Sequence, residues 1–309
     1  MKKLTFKKTG FFLYPALLLA AVFLIIMQGC EVVTTAAKVG AATGVLTAQQ
    51  AAGIEKTAAA VEKTQEEITP SQEYYIGRTV GAVITNKYRV YQNDKATLYV
   101  NELGQTIAMV SALPETFGGY HFLILDSDEI NAFAAPGGLI FVTRGLLRCC
   151  KNEDAAAAVL AHEIGHVEHR HGLNAIKKSR ITTAITTGLL EAGKSLTNAQ
   201  VAQLTTVFEG SIQDITSTLI NSGYSRAFER QADMSAVGIL RRAGYNPQGL
   251  MDMIRTMEGR LKPGGLDFAK THPAPEIRID AIRESFGSFP PVDERLKRQD
   301  RFRRFLAGI

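Results

Sequence analysis

Tryptophan is missing from this 309-residue chain and cysteine occurs only three times, which excludes a small fold stapled by a disulfide framework. Cys149 and Cys150 are neighbours, a spacing that rarely closes a ring and that lacks the C-x-x-C pattern of redox and zinc motifs. They are expected as buried thiols. An excess of charge of one sign is lacking too. Of 35 basic residues, Lys2, Lys3, Lys7 and Lys8 lie in a first segment without any acidic residue, and the remaining 31 face 30 acidic groups. That balance gives no basis for nucleic acid as a partner. After residues 11–27 there is no second long apolar run.

The third cysteine belongs to that run. A lysine-rich start, the apolar stretch 11–27 and then Gln28-Gly29-Cys30 read as an export signal. A small residue followed by Cys resembles a bacterial lipoprotein signal over residues 1–30, in which Cys30 becomes the lipidated N-terminus and the membrane anchor. An uncleaved anchor is the alternative, because the run approaches bilayer-spanning length. Glu31 in place of Asp favours the outer membrane of a Gram-negative cell by the same resemblance, with the remainder of the chain in the periplasm. Residues 31–70, rich in Ala, Thr, Gly and Gln, have too few large apolar side chains for a core and are expected as a tether with a first helix.

The stretch that carries chemistry is His162-Glu163-Ile164-Gly165-His166. Asn152 or Asp154 is placed to cap a helix with an acidic first turn, and 155–161 is strongly helix-forming. Two histidines four residues apart leave one face of that helix and can close on one ion. Neutral imidazoles suit Zn²⁺, one per chain, which at catalytic sites takes three protein ligands and keeps a position open. Glu163 is placed to take a proton from the attacking water and hand it to the leaving amine. Gly165 costs about 1 kcal/mol relative to Ala inside a helix, which implies another element packed closely on it. A metzincin is excluded, since His169 stands where that pattern needs glycine and Gly172 where it needs histidine; His169 is read as a polar surface residue. The third-ligand candidate is Glu229, in Glu229-Arg230-Gln231-Ala232-Asp233, with Asp233 one turn on as the partner of a ligand histidine's other ring nitrogen. Spacing alone leaves a solvated acidic helix face equally open for this pair.

Several further stretches extend the pattern: Asn131-Ala132-Phe133-Ala134-Ala135-Pro136-Gly137-Gly138, Val142-Thr143-Arg144-Gly145-Leu146-Leu147, Val159-Leu160-Ala161 before the first histidine, and Thr271-His272-Pro273. With them the chain resembles, over 71–284, the HtpX and CAAX-prenyl-endopeptidase superfamily of zinc metallopeptidases, in particular its soluble periplasmic BepA-like branch. The resemblance implies His162, His166 and Glu229 as ligands, Glu163 as the base and Asp233 behind a ligand. It also brings His272 near the metal or the developing oxyanion, the alternative being a mere helix cap, with Arg278 nearby. Residues 155–158 depart from the pattern, as relatives carry Glu-Leu before the Ala.

The expected fold is α+β and mainly helical, a gluzincin-type domain over 71–287 with a small sheet beside the zinc helix. Pro70-Ser71-Gln72-Glu73 opens one helix and 96–113 forms the next, with Tyr99, Val100, Leu103, Ile107 and Val110 as its stripe. Strands are expected at 121–125, 131–134 and 139–142, the last two paired across Pro136-Gly137-Gly138. Asn131, Ala132 and Phe133 are the candidate edge to which a peptide substrate adds as a strand, unless a loop covers it. Residues 179–198 are a candidate cover over the site, two helices follow at 199–221 and 224–242, and Asn246-Pro247 starts another. The basic tail 288–309 is expected as a solvated helix, with a docking segment for a partner as the alternative. The functional expectation is a membrane-tethered zinc endopeptidase acting on unfolded or misassembled envelope proteins. Its rival is a chaperone or assembly factor that binds such clients and seldom cuts them.

Overall fold

The computed structural model describes residues 30–55, 68–174, 223–258, 275–292 and 296–309 except 307, with Ile212, Thr216, Ile220 and His272 as isolated positions. The expected export signal and the expected cover at 179–198 lie outside the described residues, as does most of the helix expected at 199–221. The chain divides into two compact units, one of residues 1–67 and 177–210, the other of 68–176 and 211–309. In the first, helix α1 (Cys30–Ala42) ends at a turn where Gly44 takes φ 73°. A second helical stretch at 48–55 starts with Thr47 and Gln50 bonding each other's backbone N–H. Among the described residues no helix is long and apolar enough to cross a membrane.

The second unit holds the core. Helix α2 (Pro70–Lys87) starts as its sequence predicts, with Pro at the first turn and a reciprocal capping box between Thr69 and Gln72. Helix α3 (Asp94–Ala108), capped by Asn93, buries Tyr99, Val100, Leu103 and Ile107. It stops five residues short of the expected end. Val110 and Ser111 bond to carbonyls three residues back, Arg242 takes the Val110 carbonyl and Glu168 takes the Ala112 N–H, so the chain is tied to other helices before Pro114 is reached.

Strands β1 (His121–Leu125), β2 (Ala132–Ala135) and β3 (Leu139–Thr143) form one sheet in the order β1-β3-β2. β1 runs parallel to β3, while β2 and β3 make the expected antiparallel pair around the 3-10 turn Pro136–Gly138. Gly137 sits there at φ 76°, and a Cβ on it would meet the Tyr74 backbone at 2.9 Å, because α2 packs directly on the turn. After the short helix α4 (Arg144–Leu147), Cys149 and Cys150 are buried thiols, as expected.

Helix α5 (Glu153–Glu168) carries the histidine motif and is buried from Glu153 to Val167. Its main partner is α6 (Arg226–Arg242). A Cβ on Gly165 would come 2.9 Å from the Ala232 carbonyl oxygen and 3.0 Å from its Cα, so the costly glycine is where the two helices touch. Helices α7 (Gln248–Glu258) and α8 (Pro275–Phe286) flank this pair. The tail departs from expectation. Helix α9 (Leu296–Leu306) is docked on α3 and α5, with Phe305 stacked on Tyr99 at 5.3 Å, Leu306 buried and Arg301 ion-paired to Glu153. Its apolar residues Phe302, Phe305 and Leu306 recur at helical spacing, which gives the basic helix a face to bury.

Candidate active site and metal centre

Local sequence sets the geometry first. Asn152 accepts a hydrogen bond from Ala155 N and starts α5, so His162 and His166 leave the same face one turn apart. Their Nε2 atoms lie 3.1 Å from each other. Ser225 caps α6 in the same way, and that helix brings Glu229 and Asp233 to the histidines from the facing side. Glu229 Oε2 is 3.4 Å from His162 Nε2, and Oε1 is 3.4 Å from His166 Nε2. All four side chains are buried.

These spacings fit a zinc ion. In a tetrahedron with bonds of about 2.0–2.1 Å, neighbouring donor atoms stand about 3.3 Å apart. Two imidazole nitrogens and a carboxylate at 3.1 to 3.4 Å match that figure. Glu229 Oε1 is buried without a hydrogen-bond partner, an arrangement that is costly unless an ion faces it. His272 joins the group, its Nδ1 standing 2.8 Å from Glu229 Oε2 and 3.3 Å from His162 Nε2. The ligand atoms of His162, His166, Glu229 and His272 all lie within 4.8 Å of one another.

Asp233 stands behind the group. Its Oδ1 accepts from His162 Nδ1 at 2.9 Å, which turns the lone pair of His162 Nε2 toward the centre. Arg278 clamps Asp233 with two bonds of 2.8 and 2.7 Å. Burial alone would push the Asp233 carboxyl up, but Arg278 holds it down at about 2. Burial and Arg278 disfavour charge on His162, yet Asp233 and Glu229 outweigh them and raise it to about 9. Burial drives His166 the other way, well below the usual imidazole range. Glu229, despite burial, is held well below the usual carboxylate range by His272, His162 and His166.

Glu163 differs from every other carboxylate around it. It is buried, neither oxygen has a hydrogen-bond partner, and His272 Nε2 lies 3.9 Å from Oε1. Burial raises its pKa. A carboxylate with free lone pairs beside a metal-binding cluster is equipped to accept a proton from water. His169 stays apart from the cluster, its Nε2 on Ser235 Oγ at 2.8 Å.

Two residues that sequence reasoning missed complete the site. His171 lies behind His166, Nδ1 to Nδ1 at 2.9 Å. Tyr224 stacks on the His166 ring at 4.1 Å and donates its hydroxyl to the Ala134 carbonyl at 3.0 Å. The second contact bears on the expected substrate edge. Among the described residues, Asn131, Ala132 and Phe133 lie at the outer side of the sheet, all three buried. The Asn131 carbonyl accepts from Thr143 N, so by alternation Ala132 and Ala134 direct their backbone groups away from β3. The Ala132 N–H is taken by Asn131 Oδ1 and the Ala134 carbonyl by Tyr224. No periodicity marks Tyr224 in the sequence; its one local signal is its place just before the helix that carries Glu229.

Comparison with known proteins agrees with this geometry. The model of peptidase family M48 matches residues 94–285. The beta-barrel assembly-enhancing protease of Escherichia coli is 29% identical over 202 residues, covering 63% of this chain and 40% of that protein. The mitochondrial metalloendopeptidase OMA1 of Schizosaccharomyces pombe is 31% identical over 195 residues, 61% of this chain and 52% of that protein. Metalloprotease YcaL of Escherichia coli is 27% identical over 191 residues, 61% of this chain and 72% of that protein. The first of these is thus matched over about two fifths of its length. With the family model covering well over half of the residues and the His/Glu cluster in place, the chain belongs to peptidase family M48, a family of metallopeptidases.

Proposed function

We propose that this chain is a zinc endopeptidase of the bacterial envelope, acting in quality control of outer-membrane proteins. The observation that carries the reading is the pairing of three donors spaced for zinc with an unpartnered buried Glu163 beside them. His162, His166 and Glu229 would hold Zn²⁺, which supplies the Lewis acidity that polarises a peptide carbonyl and acidifies water. Glu163 takes the proton of the attacking water and returns it to the leaving amine. Asp233, fixed by Arg278, keeps His162 in the tautomer that presents Nε2. A catalytic site needs one position free. His272 is the fourth donor of the cluster and the one next to Glu163.

The substrate reading rests on β2. An extended peptide pairing with the outward groups of Ala132 and Ala134 would lie beside His166, where Tyr224 already touches both. The names of the Escherichia coli relative and the strand geometry point together to unpaired strands of stalled barrel proteins, which a closed barrel no longer presents. Cys30 as a lipidated anchor would place the enzyme at the periplasmic face of the outer membrane, with 31–70 as the tether.

The test is cleavage of an unfolded outer-membrane barrel protein by the purified, zinc-loaded chain. Cleavage should stop on chelation, return with zinc, and be lost in Glu229→Ala together with the metal. A fully zinc-occupied protein that binds the client and leaves it uncut would overturn the endopeptidase reading in favour of an assembly factor. Separately, Cys30→Ala should lose lipid labelling and leave the membrane fraction; retention with residues 1–30 attached would establish the uncleaved anchor.

A further inference from the structure

The two helical histidines are supported from behind by different chemistry. His162 has a carboxylate, Asp233, at its Nδ1. His166 has another imidazole, and that imidazole has an amide: His171 Nε2 lies 2.9 Å from Gln231 Oε1. An amide oxygen only accepts, so His171 Nε2 carries the hydrogen. The Nδ1 of a neutral His171 is then a lone pair, and it can face His166 Nδ1 only if that atom carries a hydrogen. The order Gln231 Oε1, His171, His166 is therefore closed. Every hydrogen runs outward, and His166 Nε2 is left bare toward His162 Nε2 and Glu229 Oε1. The reverse order, with the Gln231 amide turned, would put a hydrogen on His166 Nε2 and close it to a metal.

The chain spends strain to place His171. Helix α5 ends at His169, and Arg170 adopts φ 51°, the one non-glycine residue with positive φ among those described. That conformation costs an L-residue about 1–2 kcal/mol, and it turns the backbone so that the next side chain folds back under the helix end. The His171 ring is then fixed in plane by stacking on Phe228 of α6, with centroids 4.2 Å apart and planes at 8°. The His171 side chain is fully buried there. Helix α6 thus serves both histidines, through Asp233 on one side and through Phe228 and Gln231 on the other.

We infer that His171 is a positioning residue for the metal centre, a neutral acceptor that fixes the tautomer and ring orientation of His166 and is itself oriented by Gln231. This rests on the proposed zinc site. A neutral relay differs in kind from the carboxylate behind His162: it adds no charge to a site that already contains Asp233, Glu229 and Glu163.

The test compares two substitutions by zinc affinity, measured by competition with a chromogenic chelator. His171→Phe keeps the ring shape and its stack on Phe228 and removes the acceptor; the expected loss is about 10- to 100-fold. His171→Asn puts an amide oxygen near the position of Nδ1 and should recover most of that loss. Melting of the metal-free proteins separates folding from binding, and His171→Phe should melt close to the parent. Parent-like zinc affinity in His171→Phe, or equal weakening in Phe and Asn variants, would overturn the assignment. A parent chain that binds no zinc would instead overturn the metal centre itself.

Discussion

Glu153 and Glu163 are both buried on α5, three turns apart, and their surroundings are opposite. Glu153 accepts from the Tyr99 hydroxyl at 2.8 Å, from the Tyr245 hydroxyl at 2.9 Å and from both nitrogens that Arg301 offers. Burial pushes its pKa up, but these donors prevail and hold it below the usual range. Glu163 has no donor at all, and burial, with the Glu229 carboxylate beside it, pushes it up against the pull of His272, His162 and Arg278. One helix thus holds a carboxylate whose lone pairs are all used and another whose lone pairs are all free. Saturation gives structure; vacancy gives a base.

The largest effect should come from the unsaturated end. Glu163→Gln keeps the shape and removes the base, so peptide cleavage should fall by about 10²- to 10⁴-fold while metal analysis still finds one zinc per chain. Undiminished initial rates in that variant would remove Glu163 from the chemistry. The saturated end should fail differently. Glu153→Ala leaves the Tyr99 and Tyr245 hydroxyls and Arg301 without their acceptor, and should cost about 2–3 kcal/mol of stability in denaturant titration. Its cleavage rate per folded molecule should stay close to that of the parent. If stability held and turnover fell, the contrast between the two ends would be wrong.

That contrast also separates what the sequence made legible from what it hid. The helix of His162 and His166 follows from spacing within one element, where period and capping fix geometry, and the β2–β3 pair from a turn signal between neighbouring apolar runs. Asp233 was singled out only by the family resemblance, since spacing left a solvated helix face equally open. Gly165 was legible too, as a residue with no helical reason to be there. Glu153 looked like an ordinary acidic first turn, because its donors lie 54, 92 and 148 residues away. Long-range partners leave no local period. His171 was hidden for another reason: it follows the helix end, and only the positive φ of Arg170 returns it to His166. The tail shows a wrong weighting, since its arginines read as solvated, whereas Arg301 pairs with Glu153 and the Phe and Leu stripe docks beside it.

A smaller effect is expected where the active end does have a saturated group. Tyr224→Phe keeps the stack on His166 and frees the Ala134 carbonyl. If a substrate strand pairs there, the variant should show a KM lowered several-fold with kcat little changed, since about 1 kcal/mol of competing hydrogen bond is removed. An unchanged KM would mean that substrate does not use the Ala134 carbonyl.

The smallest effect concerns pH and tests the sign of the contrast. A carboxylate held below its ordinary pKa stabilises the fold above the ordinary value, and that stabilisation is lost as pH falls through the lowered one. Glu153 is such a group. Arg301 is half exposed, so its share is screened and amounts to about 1 kcal/mol or less. The stability difference between the parent and Glu153→Gln should therefore be full at neutral pH and shrink as pH drops below the ordinary carboxylate value of about 4.3. Glu163 is held up instead. In the metal-free protein its stabilising contribution belongs to the protonated form and is lost as pH rises, so Glu163→Gln should gain on the parent toward neutral pH. Urea titrations of both Gln variants in metal-free buffer between about pH 2.5 and pH 7, from well below the ordinary carboxylate value to neutrality, read the two slopes directly. Slopes of the same sign would show that the two carboxylates are not opposed, whatever their hydrogen bonds.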